Sequence, residues 1–224
     1  YRRQRQMCIR DRIISMYLSR IELDTSKKQT QLALVCRNKF HGAIEDSFNH
    51  AKDDCLRTLW RLDKFNGKTY LLLLSPQKPD LSNFMKQFGN SSSTYETKDY
   101  DVLLNKINND TTWQFRLVAN PTKCIKTESG RGKRIAHKTP EHQMKWLIEQ
   151  AEKHGFEISN DNLQVMESAW LSFSKRNERM IRALAVTYEG ILKINDVEKF
   201  RSTLIEGLGR EKAYGMGLLT IMRI

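Results

Sequence analysis

The alternation of apolar and polar positions predicts a first group of strands and helices in the first half of the chain. Met16 to Asp24 predicts a strand, and Ser26 to Cys36 predicts a short helix. Two further strands, Leu56 to Asp63 and Thr69 to Ser75, are joined by Asn66-Gly67, which is a strong hairpin turn signal. The pattern therefore indicates a strand, a helical region and a β-hairpin in succession.

Two amphipathic helices and one more strand complete this first group. Asn38 is predicted to be the N-cap of the first of these helices, because its side chain can accept a hydrogen bond from a free backbone N–H. The apolar face of that helix consists of Phe40, Ala43, Ile44 and Phe48. Leu81 to Phe88 predicts the second helix, Asp99 to Asp110 is weakly patterned, and Thr112 to Asn120 alternates as a strand does. The resulting order, β-α-β-β-α-β, is that of ferredoxin-like domains.

The same scheme is predicted a second time in the second half. The strand that holds Trp113 is expected to continue past the next proline to Ile125. Thr139 and Pro140 mark a helix start at the N-cap and N1 positions, and Gly155 marks the end of that helix. The apolar face of this helix consists of Met144, Leu147, Ile148 and Ala151, with Trp146 on its flank.

A hairpin, a helix and a terminal strand follow. Leu163 to Phe173 and Met180 to Ile194 predict two strands, Asp196 to Ile205 a helix, and Leu218 to Ile224 a last strand. The predicted fold class is therefore α+β, with two tandem ferredoxin-like domains and antiparallel sheets. The predicted domains are residues 16–111 and 112–224, preceded by a tail, residues 1–15, that is non-native or disordered.

The first twelve residues, YRRQRQMCIRDR, fit neither a strand nor an amphipathic helix. They hold five arginines and one aspartate, so their charge is 5 − 1 = +4 and the rest of the chain carries 12 − 4 = +8. We interpret this segment as read-through of sequencing-adapter DNA, with Met16 as the native start, and exclude it from the fold prediction. The alternative interpretation is a basic arm that binds RNA.

Composition adds a class of partner to this fold. The 224 residues include 38 Lys and Arg against 26 Asp and Glu, a net charge of +12 that points to a polyanion such as nucleic acid or an acidic membrane surface. No apolar run approaches the roughly 20 residues of a membrane span, and no secretory signal is visible. The 4 cysteines form no C-x-x-C pair, which favours reduced thiols in the cytoplasm. We predict neither a metal nor another cofactor.

Four glycines and two cations stand together near the C-terminus, between the last predicted helix and strand. The predicted phosphate contacts are Gly207, Gly209, Arg210, Lys212, Gly215 and Gly217. Glycine lets backbone N–H groups approach a phosphate closely and adopts positive φ. A dinucleotide-binding G-x-G-x-x-G needs a strand before it and a helix after it, and here the order is reversed. The alternative from spacing alone is a tight turn without a ligand.

Two further basic groups and one histidine are candidates for contact with a polyanion. The basic candidates are Arg131, Lys133 and Arg134, which stand among glycines, and Lys175, Arg176 and Arg179 at the predicted hairpin tip. A two-stranded ribbon can enter a nucleic-acid groove and contact phosphates, although a run of charge is commonly just a solvated surface. His41 lies in the first turn of a helix, where backbone amides favour an anion. Its alternative role is capping or packing.

Several motifs coincide with those of one known family. They are MYLSRIEL, FHGAIEDSF, FRLVANPTK, KRIAHKTPEHQMKWL, TYEGILKIND and GLGREKAYGMGLLTI. Together they resemble the CasE family, the CRISPR RNA-processing endoribonuclease of the type I-E Cascade complex, which belongs to the RAMP superfamily. The resemblance covers residues 16–224. It implies two ferredoxin-like domains, in agreement with the pattern above.

The resemblance also implies an activity. The family cuts each CRISPR repeat at the base of its stem-loop without metal, leaving a 2′,3′-cyclic phosphate and a 5′-hydroxyl. Its catalytic histidine matches His41. Members often carry a catalytic tyrosine three residues earlier, where this chain has Asn38, and a basic residue after the histidine, where it has Gly42. Asn38 is thus expected to contact RNA without transferring protons, and the second catalytic group stays open between water and another residue such as Lys212.

The resemblance names the partners as well. They are a CRISPR repeat RNA stem-loop and the other Cascade subunits, with no membrane, and the free protein is expected to be a monomer. RNA binding is expected at the basic hairpin tip and at the glycine-rich loop. Two other interpretations stay open: an RNA-binding RAMP subunit that does not cleave, for which Asn38 is the best argument, and a basic two-domain protein whose glycine loop is only a turn.

Overall fold

The structure of the protein is a computed structural model. It describes residues 15–48, 57–126, 130, 132–174 and 180–224. The chain divides into two compact units between Lys106 and Ile107. This division falls a few residues before the boundary after residue 111 that the sequence suggests. Among the described residues, no helix is long and apolar enough to cross a membrane.

The first unit is a four-stranded antiparallel sheet with helices between its strands. Its elements are β1 (Tyr17–Leu23), α1 (Lys28–Val35), α2 (Asn38–Glu45), β2 (Leu59–Phe65), β3 (Lys68–Ser75), α3 (Ser82–Phe88), β4 (Glu96–Asp99) and α4 (Asp101–Leu104). The sheet order is β2-β3-β1-β4 with every neighbouring pair antiparallel. This is the ferredoxin-like arrangement, so the fold class predicted from the sequence is confirmed for this unit.

Aromatic packing fixes α2 and α3 against the sheet of the first unit. Phe40 of α2 is fully buried, and its ring centroid lies 5.1 Å from that of Phe88 in α3 and 5.9 Å from that of Trp60 in β2. The β2–β3 hairpin turns at Asn66 and Gly67 with φ of 50° and 73°. Positive φ at both central residues is the requirement of a type I′ turn, which confirms the hairpin prediction.

Two predictions for this unit are wrong. The fourth strand of the sheet is β4 and not Thr112 to Asn120, which belongs to the second unit. Because β4 is a four-residue edge strand of polar side chains, it carries no apolar alternation, and it is held in part by a hydrogen bond between the hydroxyls of Ser19 and Thr97 at 2.8 Å. Asn38 is the first residue of α2 rather than its N-cap, a position that Arg37 occupies.

The second unit repeats the ferredoxin-like order and adds a small hairpin. Its elements are β5 (Thr112–Ala119), β6 (Thr122–Ile125), β7 (Lys133–Ala136), α5 (Pro140–Lys153), β8 (Phe156–Glu157), β9 (Leu163–Ser174), β10 (Met180–Ile194), α6 (Val197–Glu206) and β11 (Leu219–Arg223). The main sheet runs β11-β5-β10, with β9 and the short β8 both paired to β10 and all pairs antiparallel. The predicted fold class is therefore confirmed for this unit too.

The strand predicted to run from Trp113 to Ile125 is not continuous. It ends at Ala119, and β6 pairs instead with β7 in a separate two-stranded sheet. Pro121, which stands between the two strands, has no backbone N–H to donate to a sheet neighbour. The break lifts the β6–β7 hairpin out of the main sheet.

The helices of the second unit begin where the sequence predicts. Thr139 precedes α5 with Pro140 at its first position, and the Asp196 side chain accepts a hydrogen bond from the backbone N–H of Lys199 at 3.1 Å to cap α6. Trp146, predicted on the flank of α5, is buried and stacks on Tyr188 at 6.5 Å between centroids. Thus α5 lies against β10 with its aromatic residue facing inwards.

Candidate nucleic-acid interface

His41 is displayed at the surface of the first unit by the packing of α2. Phe40 and Ile44 bury one face of this helix, and the neighbouring face carries His41 with 41% of its side chain exposed. Its Nδ1 lies 3.9 Å from the Oε1 of Glu45, one turn further along. The imidazole is therefore available to a ligand, and a carboxylate stands beside one of its nitrogens.

Asn38 shares that helix face, because residues three apart on a helix are neighbours. It is half-buried and lines a cavity of about 330 Å³ together with residues of α1 and α3. Gly42, directly after the histidine, is exposed, and a Cβ built on it would meet nothing within 4 Å. A methyl group added at position 42 would therefore not crowd the histidine.

The glycine-rich loop connects α6 to β11 and is held by its own backbone. Gly207, Gly209, Gly215 and Gly217 have φ of 74°, 85°, 80° and 90°, values that favour glycine. The N–H of Gly217 donates to the carbonyl of Val118 in β5 at 2.7 Å, and the N–H of Leu208 donates to the carbonyl of Gly217 at 2.9 Å. The loop conformation is therefore fixed without a ligand.

The two cations of the loop have different surroundings. Lys212 donates its ammonium hydrogens to the carbonyls of Glu206 and Gly207 at 2.6 and 2.7 Å, where α6 ends. A cation is favoured at the C-terminus of a helix, so Lys212 stabilises the loop itself. Arg210 is exposed, Gly209 is half-buried, and the other three glycines of the loop are buried.

The second unit contains a cavity of about 590 Å³, which we call the basic cavity. Four elements surround it: the β6–β7 hairpin, the start of α5, the paired strands β9 and β10, and the glycine-rich loop. Its basic lining residues are Lys123, Arg134, His137, Lys138, His142, Arg182 and Arg210. Among the described residues that line it, only Glu211 is acidic. Such an excess of cations in a concave site favours an anion.

Aromatic and imidazole rings lie among these cations. Trp170 of β9 is paired with Leu184 of β10, so both side chains lie on the same face of the sheet. The Arg182 guanidinium lies over the indole of Trp170, 5.3 Å from its centroid. The rings of His137 and His142 stack with centroids 6.0 Å apart. The lining thus combines positive charge with flat surfaces.

The electrostatics of the basic cavity favour a bound anion. Partial burial lowers the pKa of His137 below its usual value, and the positive charges of Lys123 and His142 lower it further, against a weaker opposing effect of Glu149. A phosphate in the cavity would reverse this balance, because an opposite charge favours the protonated imidazole. Proton uptake is therefore expected to accompany anion binding here.

The basic cavity brings together some of the predicted RNA contacts. Arg134 and Arg210 both line it, and Lys133 lies on the same hairpin with an exposed side chain. Arg131, Lys175, Arg176 and Arg179 lie outside the described residues. The assignment of all these residues to RNA binding remains a prediction.

Sequence reasoning did not assign several residues that line the cavity, among them two histidines, a tryptophan and an arginine. His137 and His142 flank the start of α5 and form no recognisable motif with each other. Trp170 and Arg182 meet only because β9 and β10 pair in one register. The sequence feature that could have indicated them is Trp170, an aromatic residue in a predicted hairpin that is rich in positive charge. The described residues contain no group of three or more His, Cys, Asp or Glu side chains that could hold a metal ion.

Two ferredoxin-like units, the second with a glycine-rich loop beside a cation-lined cavity, define a protein built to hold a polyanion. The chain belongs to the CRISPR associated protein family, whose model matches residues 16–223. The resemblance found in the sequence is thereby confirmed.

Individual members of this family show how far the similarity extends. The CRISPR-associated endoribonuclease Cse3 of Thermus thermophilus is 26% identical over 218 residues, which cover 92% of this chain and 99% of that protein. A structure of CRISPR endoribonuclease Cse3 bound to 19 nt RNA superposes with a TM-score of 0.79 at 26% identity, covering 92% of this chain and 99% of that one. A chain of a CRISPR RNA-guided surveillance complex has a TM-score of 0.68 at 23% identity over 93% of this chain and all of that chain (100%), which shows a shared fold.

Proposed function

We propose that this protein is an endoribonuclease that cleaves CRISPR repeat RNA at the base of its stem-loop and remains bound to the product. The observation that carries the proposal is similarity to Cse3 over 92% of the chain, combined with the basic cavity. The cations of the second unit supply phosphate contacts, and the exposed imidazole of His41 in the first unit supplies acid–base chemistry.

The proposed reaction is a transesterification within the RNA. The 2′-hydroxyl oxygen upstream of the scissile bond attacks phosphorus and loses its proton, while the bond from phosphorus to the 5′ oxygen breaks and that oxygen gains a proton. The products are a 2′,3′-cyclic phosphate and a 5′-hydroxyl. Histidine titrates near neutrality and can remove or deliver these protons, so the reaction proceeds without a metal ion.

His41 is the catalytic residue in this proposal, and neither Asn38 nor Lys212 transfers a proton. Asn38 lies on the same face of α2 and can hydrogen-bond RNA, but its amide does not exchange protons at neutral pH. Lys212 donates to the carbonyls of Glu206 and Gly207 at the end of α6, which gives it a structural role in the second unit. Water positioned by the RNA is then the second proton carrier.

The same proposal extends to partners and location. After cleavage the protein keeps the stem-loop and joins the other subunits of a CRISPR surveillance complex, acting as a monomer before assembly. We place the reaction in the cytoplasm, where the repeat RNA is transcribed.

A cleavage assay in EDTA tests the proposal. The protein is incubated with its cognate repeat RNA, and His41→Ala is compared with the parent and with His154→Gln. Position 154 serves as the matched control because its ring contacts Thr203 at 3.0 Å, which glutamine can still do, and it lies outside the basic cavity. We expect His41→Ala to lose about 10²–10⁴-fold in single-turnover rate while RNA affinity is kept.

The non-catalytic RNA-binding subunit is the second candidate, favoured by Asn38 at the position of a catalytic tyrosine. It predicts that the parent binds the repeat tightly and leaves it intact. Cleavage that is unchanged in His41→Ala contradicts both the assignment of His41 and this second candidate.

A further inference from the structure

The basic cavity has features that phosphate binding alone does not require. Trp170 is 46% exposed although it is a large aromatic residue, and it lines the cavity together with Leu184, its cross-strand neighbour. A site that only neutralises phosphates needs cations and no exposed indole. An aromatic face among cations is the combination by which proteins stack unpaired bases.

A second polar feature lies in the wall of the cavity. Asn120, between β5 and β6, is 6% exposed, and its Oδ1 has no hydrogen-bond partner within the part of the chain that the structure describes. A buried acceptor without a donor is unfavourable, and protein interiors rarely tolerate it. A ligand that carries an N–H or O–H group to this wall would satisfy the oxygen.

The size of the cavity limits what can enter. A volume of about 590 Å³ lies within the range of small-molecule sites, about 300–1,000 Å³, and is far too small for a duplex. Cations from the β6–β7 hairpin and the glycine-rich loop stand at its sides, where a phosphate attached to the occupant can be neutralised. The occupant therefore has a flat ring, hydrogen-bonding edges and a phosphate.

We propose that the basic cavity is a subsite for one unpaired nucleotide of the bound RNA, with its base stacked on Trp170, an edge of the base against Asn120 and its phosphate among the basic residues of the lining. The Arg182 guanidinium lies over the indole of Trp170 and extends the stack beyond that ring. This subsite rests on the proposed function, because it takes a nucleotide of the same RNA. Through this subsite the protein would recognise a nucleotide outside the duplex as well as the stem.

The test is a set of double-mutant cycles between the protein and the RNA. Parent, Trp170→Ala and Trp170→Phe are titrated with the cognate repeat RNA and with versions in which one unpaired position at a time is abasic. Met166→Ala is the control, because Met166 is exposed on the same strand and lies outside the cavity. A second pair compares Asn120→Leu with the parent.

The subsite predicts coupling at one unpaired position. Trp170→Ala weakens binding about fivefold to a hundredfold, which is the range for loss of one stacked base, and Trp170→Phe retains most of the affinity. At one unpaired position, the abasic RNA binds the parent more weakly than the intact RNA does, by a similar factor. For Trp170→Ala, the abasic and the intact RNA bind with equal affinity. Asn120→Leu shows the same coupling at that position, and Met166→Ala binds as the parent does.

The possible failures separate the two proposals. The subsite is overturned and the nuclease stands if the parent cleaves the repeat but Trp170→Ala lowers the affinity for every abasic RNA by the same factor as for the intact RNA. If the parent neither binds nor cleaves repeat RNA, both proposals are overturned. If Trp170→Ala leaves the affinity unchanged, the subsite alone is overturned.

Discussion

At the scale of single residues, the contrast between His41 and Asn38 carries the proposed chemistry. Both lie on one face of α2, yet only an imidazole exchanges protons near neutral pH. The motif FHGAIEDSF is enough to single out His41, and the fold adds that its side chain is 41% exposed. The Glu45 carboxylate beside the imidazole follows from the same motif, because residues four apart on a helix are neighbours.

The difference between the two side chains gives a prediction for cleavage rates. We expect Asn38→Ala to slow single-turnover cleavage by less than about tenfold, since it removes a hydrogen bond and no proton transfer, whereas general acid–base catalysis contributes about 10²–10⁴-fold. Single-turnover rates with saturating protein measure this. A loss at Asn38→Ala as large as that at His41→Ala would assign Asn38 to the chemistry itself.

His137 gives a prediction for pH. Burial, followed by the charges of Lys123 and His142, lowers its pKa in the free protein, and a bound phosphate raises it again. The complex therefore takes up a proton, and RNA affinity increases as the pH falls through the histidine range, from about 7.5 to about 5.5. Glu149 opposes this lowering of the pKa, and the other charged residues that line the cavity are Arg134, Lys138, Arg182, Arg210 and Glu211.

Titration of RNA binding across this pH range, with parent and His137→Gln, measures the effect. His137→Gln is expected to reduce the pH dependence and to leave the affinity at pH 8 nearly unchanged, because the imidazole is neutral there. An equal pH dependence in both proteins would show that His137 does not respond to the bound anion.

At the scale of elements, the glycine-rich loop is a folded connection rather than an open cradle. Gly217 has φ of 90°, and a Cβ there would lie 2.9 Å from the carbonyl oxygen of Leu208. The four glycines are recognisable in the sequence, but spacing alone could not show that three of them are buried. Only Gly209 and the residues after it, up to Ala213, leave the loop partly exposed.

The loop gives a prediction for stability. Gly217→Ala is expected to lower the free energy of unfolding by more than about 1 kcal/mol, because the new side chain meets both a disfavoured φ and backbone. Gly42→Ala is the control: it is helical with open space around it and should raise that free energy by roughly 0.5–1 kcal/mol. Urea denaturation measures both, and an unchanged midpoint for Gly217→Ala would contradict the account of the loop.

The elements also show which parts of the fold a sequence can predict. The long strands β9 and β10 and the helix α5 carry clear periodicity and end at Gly, Pro or polar residues, and they were predicted within a few residues. β4 was missed because four polar residues at a sheet edge have no apolar face to reveal them. The break at Pro121 was missed because the prediction extended the alternation of β5 across a proline, which has no N–H for a sheet neighbour.

At the scale of the whole molecule, positive charge supports the proposed binding of RNA. The chain carries +12, and among the described residues seven basic ones from segments far apart in sequence line one cavity. The net charge was enough to predict a polyanion. The convergence of Lys123, Trp170 and Arg210 was not predictable, because it depends on strand register and on the path of the glycine-rich loop.

This charge gives a prediction for salt dependence. The affinity for repeat RNA falls steeply with salt, and each phosphate contact contributes about 0.7–0.9 to the slope of log K against log salt. Arg134→Ala should reduce the magnitude of that slope by about one contact. Lys145→Ala, an exposed cation of α5 outside the basic cavity, should leave it unchanged. Equal slopes for the parent and Arg134→Ala would show that Arg134 does not contact a phosphate.

Mass spectrometry of the RNA ends made by the parent protein in EDTA measures the proposed chemistry most directly. The account predicts an upstream fragment that ends in a 2′,3′-cyclic phosphate and a downstream fragment with a 5′-hydroxyl, and no cleavage when the scissile nucleotide is 2′-deoxy. A 5′-phosphate on the downstream fragment, or cleavage of the 2′-deoxy substrate, would contradict attack by the neighbouring hydroxyl and with it the role of His41.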